Sequence, residues 1–177
     1  TVEGRDETLA AVDDDFSTDE DTPLNGDVSL NDTFGAGAYV LDQDVSRGIL
    51  SFNGDGTFNF DPNGDFDFLA DGDFDSESFT YLIVDGADSV QATATIEITG
   101  LNDGPSISSV FLSTDEESQI TADLIVESGA FDPDAAGPLE LDSVDGVTLP
   151  FNFADEFITL SSGVTVIANR DGSITYD

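Results

Sequence analysis

The stretch Val90-Gln91-Ala92-Thr93-Ala94-Thr95-Ile96-Glu97-Ile98-Thr99 alternates apolar and polar residues without a break. A period of two predicts a β-strand with one face buried and the other face in water. A similar row, formed by Phe79, Tyr81 and Ile83, comes just before it, and the turn-forming residues 85–88 separate the two rows. We therefore predict a β-hairpin over residues 79–98.

The same alternation runs through the rest of the chain, and no segment shows a helical period. Its apolar positions are Phe58, Phe60, Phe66 and Phe68 in the first half, and Ile120, Ala122, Leu124, Val126, Val164, Val166 and Ala168 in the second half. Phenylalanines at alternate positions are expected to form a core rather than an aromatic binding platform. The sequence therefore predicts an all-β fold.

A short repeat predicts two modules in tandem. Ser17-Thr18-Asp19-Glu20 recurs as Ser113-Thr114-Asp115-Glu116, which is 96 residues later (113 − 17 = 96). That distance corresponds to one β-sandwich module and its linker, because modules of about 100 residues are the usual size for this architecture. We place the first module at residues 1–104 and the second at residues 105–177.

The second module is expected to be incomplete at its C-terminal end. Its residues 169–177 match residues 53–61 at an offset of 116 (169 − 53 = 116). The second module therefore carries 20 extra residues (116 − 96 = 20), which we place within 143–165. The strands predicted at 79–84 and 90–98 have no counterpart after Asp177. We therefore expect the second module to lack its final hairpin within this sequence. An inserted segment that splits the module is one possible reason. Since Thr1 is not an initiator, we also expect the chain to be a piece of a longer protein.

Composition excludes several classes of function. The chain has 39 acidic residues, three arginines, no lysine and no histidine, so its net charge is −36. A nucleic-acid binder or a protein that adheres to anionic lipid needs a basic surface, so neither class fits. There is no apolar run of spanning length, and we expect no direct membrane insertion. Hydrophobic residues make up 38% of the chain, which is enough for folded cores.

The chain contains no cysteine, so its small modules must be stabilised without disulfides. Bound metal is the obvious alternative, because acidic residues cluster in the predicted loops. Calcium takes six to eight oxygen ligands, which Asp, Glu and Asn side chains supply. Two carboxylates about 4 Å apart repel each other by roughly 4 kcal/mol at an effective dielectric near 20, so carboxylates that converge require a cation.

Several segments together identify a resemblance to a known family. They are Asp19-Glu20-Asp21-Thr22-Pro23-Leu24, Gly56-Thr57-Phe58-Asn59-Phe60-Asp61-Pro62, Phe79-Thr80-Tyr81-Leu82-Ile83-Val84-Asp85-Gly86, Ala92-Thr93-Ala94-Thr95-Ile96 and Leu101-Asn102-Asp103-Gly104-Pro105. The chain resembles the cadherin-like, VCBS-type repeats of giant bacterial RTX adhesins. That resemblance implies Ig-like Greek-key β-sandwich modules, Ca²⁺ at the joints, and secretion to the surface of a Gram-negative bacterium.

The resemblance also implies a ligand set for calcium at the joint between the modules. The implied ligands are Glu20, Asp75, Glu77 and Asp85 of the first module, Asn102 and Asp103 of the linker, and Asp132 and Asp134 of the second module. A second joint at the amino end would use Asp6, Asp42 and Asp44. The competing interpretation is that these acids only form turns, or cover a halophilic surface, and never converge.

Three functions compete at this point. The leading hypothesis is a calcium-rigidified extender of an adhesin that supports attachment or biofilm formation, whose partners are neighbouring modules of the same chain and surface ligands bound through other domains. The alternative is a carbohydrate-binding module in which the 20-residue insertion forms a site with Asp142, Asp145, Phe151 and Phe153. An enzyme is not expected: without His or Cys only a carboxylate-pair glycosidase is left, and no motif supports one.

Overall fold

The computed structural model describes residues 9–33, 37–113, 115, 118–134, 137–141, 143–149 and 156–176. The chain divides into two compact units, which we call unit 1 (Thr1–Asn102) and unit 2 (Asp103–Asp177). The strands of unit 1 are β1 (Asp14–Asp19), β2 (Leu24–Asp27), β3 (Ala38–Gln43), β4 (Ile49–Phe52), β5 (Thr57–Asp61), β6 (Phe74–Asp85) and β7 (Asp88–Thr99), with a 3₁₀ turn at Val28–Leu30. Unit 2 contains β8 (Ile120–Asp123), α1 (Leu124–Ser128), β9 (Ser143–Val144), β10 (Val147–Thr148), β11 (Glu156–Thr159), β12 (Thr165–Ala168) and β13 (Ser173–Tyr176).

Unit 1 is a sandwich of two sheets. One sheet has the strand order β1-β7-β6-β3, and the other has the order β2-β5-β4. The predicted hairpin is β6–β7, which pairs antiparallel over its whole length and turns at Gly86, whose φ is 63°. β1 runs parallel to β7, with Asp14 beside Ala94 and Asp19 beside Thr99. The prediction of an all-β sandwich fold is confirmed.

The alternating residues of β6 and β7 provide much of the core of unit 1. Phe79, Tyr81 and Ile83 of β6 and Ala94 and Ile96 of β7 are at most 1% exposed. The ring of Phe79 meets that of Phe58 from the opposite sheet, with centroids 5.1 Å apart in an edge-to-face arrangement. Aromatic pairs of this kind add to the gain from apolar burial. The period of two in the sequence therefore corresponds to one buried face on each strand.

Unit 2 repeats part of unit 1. β8 lies 96 residues after β2, and each strand ends in an aspartate that caps the turn after it: Asp27 accepts from the amide of Ser29, and Asp123 from that of Ile125. β12 and β13 lie 116 residues after β4 and β5. The turns between those pairs share their hydrogen bonds, Gly56 N to Asn53 O and Gly172 N to Asn169 O, both at 3.1 Å. The two offsets read from the sequence thus recur in the geometry.

In unit 2 the described strands form a four-stranded sheet, β11-β12-β13-β8, and the small β9–β10 pair. A separate core is formed by Leu149, Ile158, Val166 and Ala168. The final hairpin that we expect to be missing from this unit stays a prediction. Of the residues proposed for carbohydrate binding, Asp142, Phe151 and Phe153 lie outside the described residues.

Two expectations of strand periodicity are wrong. Phe68 is 54% exposed, because residues 63–68 form turns, and a period of two has no meaning outside a strand. Val126 is 70% exposed, because β8 ends at Asp123 and a single helical turn follows. The side chain of Asp123 accepts hydrogen bonds from the amides of Ile125 and Val126, which is N-cap geometry. This local bond overrides the alternation of the apolar residues.

Candidate metal centre

Glu20 lies at the end of unit 1 where β7 ends. It follows β1 directly, and its amide donates to the Thr99 carbonyl at 3.0 Å. Its side chain is buried at 2% exposure, and Oε1 accepts from the amide of Leu101 at 2.7 Å. Glu20 therefore fixes the backbone that leads into Asn102, the first residue of the predicted calcium linker.

Asp75 and Glu77 lie at the same end, on the strand on the other side of β7. In the register of the sheet, Asp75 is opposite Ile98 and Glu77 is opposite Ile96. Both side chains bind Arg47: Nη1 of Arg47 is 2.7 Å from Asp75 Oδ2, and Nε is 2.8 Å from Glu77 Oε1. The guanidinium carbon of Arg47 is also 4.5 Å from the centre of the Phe66 ring, within the range of a cation–π contact.

Glu77 is held by more than Arg47. Its Oε2 accepts from the Ser46 amide at 3.0 Å, and the Ser46 hydroxyl lies 2.9 Å from the same oxygen. Burial by itself would raise the pKa of Glu77, but the hydrogen bonds from Ser46 and Arg47 outweigh burial and lower this pKa. The hydrogen bond from Arg47 also lowers the pKa of Asp75. Both carboxylates are thus charged and already have a cation.

Asp85 does not join these residues. It is the last residue of β6, ten positions beyond Asp75 on the same strand. At about 3.3 Å per residue, that separation is roughly 33 Å. The assignment of Asp85 to the same joint as Asp75 and Glu77 is therefore wrong, because one extended strand places them at opposite ends of the sheet.

In unit 2, Asp132 and Asp134 come into hydrogen-bond contact with each other. That bond to Asp134 is the largest cause of a raised pKa of Asp132, and the charge of Asp103 adds to the effect. The pKa of Asp134 is lowered, first by the same bond. The amide of Asp103 donates to Asp134 Oδ2 at 3.3 Å. The three acids therefore lie close enough for their charges to interact.

The fit of this acidic trio to a calcium ion is partial. Oδ1 of Asp132 is buried and accepts no hydrogen bond from the described part of the chain. The carboxylates of Asp132 and Asp134 share a proton, because a hydrogen bond joins them. Carboxylate oxygens in such an arrangement are hard ligands, and a calcium ion could replace the shared proton. Even so, among the described residues no three acidic side chains converge in a geometry that would hold a metal. By contrast, Asp75 and Glu77 do not fit, since Arg47 occupies them.

The residues predicted for a joint at the amino end have other partners. Asp42 accepts from the Gln91 side chain at 2.6 Å and from the Thr80 hydroxyl at 3.2 Å. Asp44 accepts from the amide of Val45 at 2.8 Å. Asp6 lies outside the described residues. The described acids of this set are therefore engaged by neighbouring donors within unit 1.

Asp145, from the proposed carbohydrate site, occupies the turn between β9 and β10 with a φ of 45°. Its carboxylate accepts hydrogen bonds from the amide and the hydroxyl of Ser161. It therefore closes a loop inside unit 2.

Sequence reasoning missed an acidic cluster around a buried tyrosine. The Tyr81 hydroxyl lies 2.9 Å from Asp14 Oδ2, 3.1 Å from Asp32 Oδ2 and 3.2 Å from the Val12 carbonyl. The signal in the sequence is the tyrosine itself: Tyr81 occupies an inward position of β6, and a buried tyrosine hydroxyl needs a hydrogen-bond partner. The identity of that partner depended on the fold.

Comparison with known proteins places the chain in a family. A family model described as a bacterial Ig domain matches residues 6–99, just over half of the chain. The search of curated proteins with this chain found no match. Such Ig-like domains are usually extracellular or surface-exposed, and an all-β domain of this type is typically structural rather than enzymatic. Among the described residues, no helix has the length and apolar character needed to cross a membrane. The chain belongs to the bacterial Ig domain family.

Proposed function

We propose that this chain is a structural spacer of a bacterial surface adhesin, of the RTX type that its repeats resemble, and that calcium stiffens it. The observation that carries this proposal is the Asp132–Asp134 contact, where two carboxylates meet beside a buried oxygen of Asp132 to which no described residue donates a hydrogen bond. A divalent cation would remove the need for a shared proton and would supply the missing charge.

The ligand set that we propose is smaller than the one the sequence suggested. It comprises Asp103, Asp132 and Asp134 of unit 2. Asp103 is the first residue of this unit, so an ion that binds it would restrict the linker where the chain enters unit 2.

Such a spacer transmits force, so its joints must resist bending. With a net charge of −36, the chain repels itself in the absence of bound cations. Calcium would therefore act in two ways: by direct coordination at the linker and by reduction of the net charge. Extracellular calcium sites bind at about 10⁻⁴ to 10⁻³ M, so millimolar calcium should be effective.

The test compares melting curves of the whole chain in EDTA and in calcium at about ten times the upper Kd expected for extracellular sites. A site at tenfold excess over its Kd stabilises the native state by roughly 1.4 kcal/mol, from RT ln(1 + [L]/Kd). Asp132→Asn should lose most of this gain. The matched control is Glu127→Gln, which removes one charge from an exposed position of unit 2. The proposal is abandoned if the wild-type curves coincide, or if both variants respond as the wild type does.

A second measurement addresses the linker. Small-angle scattering with calcium should show less flexibility than scattering in EDTA, and Asp103→Ala should reduce the difference. A general charge effect would be reproduced by sodium chloride of equal ionic strength, so that condition is the control. If the salt control gives the same change as calcium, coordination at the linker is not the cause.

A further inference from the structure

One of the few cations of this chain lies between two of its acids. Arg47 is one of only three basic residues in a sequence with 39 acidic ones. Its guanidinium contacts two carboxylates through two different nitrogens, Nη1 to Asp75 and Nε to Glu77. The side chain of Glu77 is only 6% exposed, so the second ion pair is largely shielded from water. Removal of one partner from a shielded ion pair leaves the other charge buried and uncompensated, which destabilises the fold.

We propose that Arg47 is the resident counter-ion of Asp75 and Glu77, and that it keeps divalent cations away from this carboxylate pair. The resemblance to calcium-binding repeats implies that Asp75 and Glu77 bind calcium, and the structure places a guanidinium on the same oxygens. This inference stands apart from the proposed calcium site in unit 2. It assigns a metal-free means of charge neutralisation to this end of unit 1.

The hydrogen bonds of Glu77 explain why a cation would not displace Arg47. Oε1 accepts from Arg47 Nε at 2.8 Å and lies 3.1 Å from the Ser46 hydroxyl. Oε2 accepts from the amide of Ser46. Calcium would have to break these bonds to reach Glu77, and it would then lie next to a guanidinium of like charge. Both carboxylate oxygens are already used.

The position of Arg47 is itself fixed. The ring of Phe66, a fully buried residue, lies 4.5 Å from the guanidinium carbon, so the charged group is held over an aromatic face as well as by two carboxylates. An arginine suits this place better than a lysine, because a planar guanidinium can contact two acids and stack on a ring at the same time. The hydrogen bonds to Asp75, the largest cause, and to Glu77 raise the pKa of Arg47, so it stays charged.

The test counts the calcium ions bound per chain by equilibrium dialysis and isothermal titration. The proteins are the whole chain, Arg47→Gln and Arg47→Lys. We expect Arg47→Gln to bind one more calcium per chain than the wild type, because it leaves two adjacent carboxylates without a cation. Arg47→Lys keeps the charge and should bind as many as the wild type. Equal numbers for Arg47→Gln and the wild type would overturn the proposal.

Two further variants keep the result clear if Arg47→Gln folds poorly. Asp75→Asn in the wild-type chain should leave the number of bound calcium ions unchanged, and a loss of one ion would overturn the proposal. The double variant Arg47→Gln/Glu77→Gln should lose the ion gained by Arg47→Gln. The test compares numbers of bound calcium ions between variants, so its outcome can be interpreted even if the wild type binds no calcium. A failure of the proposed spacer function is therefore distinguishable from a failure of this inference.

Discussion

The hydroxyl of Tyr81 donates a hydrogen bond to Oδ2 of Asp14 at 2.9 Å, from a side chain with no exposed surface. Asp32 Oδ2 lies 3.1 Å from the same hydroxyl, and a hydroxyl has only one proton to give. Two carboxylates thus compete for one donor. Burial, with the charges of Asp32 and Asp13 in addition, raises the pKa of Asp14. The same burial, with the acids around it, raises the pKa of Tyr81, which therefore stays protonated.

This arrangement predicts an unusual response of unit 1 to pH. Because the pKa of Asp14 is raised in the folded state, folding takes up a proton there. Its contribution to stability is complete below the unfolded pKa, near 4, and is lost as the pH rises through the folded value. The lowered pKa values of Asp75 and Glu77 act in the opposite sense, since their contribution is lost as the pH falls through their folded values. Mild acid should therefore favour unit 1 through Asp14, and stronger acid should destabilise it.

Asp14→Asn tests the first part. The asparagine cannot ionise, so the variant should gain stability relative to the wild type at neutral pH, and this gain should shrink as the pH falls toward about 4. Melting curves across this pH range measure it, with Asp15→Asn, an exposed neighbour, as the control. If the stability of Asp14→Asn keeps a constant offset from the wild type at every pH, the shared hydroxyl does not control proton uptake.

Gly100 should not tolerate a side chain. It follows β7, and an added Cβ would lie 2.5 Å from the Ala70 carbonyl oxygen and 2.6 Å from Leu69 Cβ. We expect Gly100→Ala to destabilise unit 1 by about 1–3 kcal/mol, because backbone would have to move. Gly104→Ala is the matched control, since nothing lies within 4 Å of its added Cβ. Urea unfolding of both variants measures the effect, and equal midpoints would contradict it.

Glu20 should hold the backbone at the end of unit 1. Glu20→Ala removes the acceptor of the Leu101 amide, and loss of a buried partner costs about 1–3 kcal/mol. Glu20→Gln retains an oxygen at that place and should cost less. Hydrogen exchange should show faster exchange of the Leu101 amide in Glu20→Ala than in Glu20→Gln. The prediction fails if this amide exchanges at the wild-type rate in both variants.

Unit 2 should be stabilised by a hairpin of the β6–β7 type. Its β12–β13 pair repeats β4–β5, and in unit 1 the chain after β5 continues into β6 and β7, whose Phe79 packs on Phe58. The residue in unit 2 that corresponds to Phe60 is Tyr176, which is 40% exposed. A longer polypeptide that contains the equivalent hairpin should protect the amides of residues 106–176 from exchange. Equal protection in the present chain would contradict this prediction.

The sequence by itself determined the strands whose side chains alternate, and the two offsets that relate the units. Ala92, Ala94, Ile96 and Ile98 are buried as the alternation required, because a strand presents every second residue to one face. The turns at Asn53 and Asn169 could be matched by their residues alone, because their hydrogen bonds form within five residues. Local geometry follows from local sequence.

Only the tertiary structure decided which acids meet. The sequence assigned Asp75 and Asp85 to the same joint, but a single extended strand separates them. Arg47 is 28 residues before Asp75 and gave no sign in the sequence that it would neutralise the pair. Asp14, Asp32 and Tyr81 meet from β1, from the loop after the 3₁₀ turn and from β6. The packing of strands that are distant in sequence decides which charged side chains come together, and a local sequence pattern contains no information about that packing.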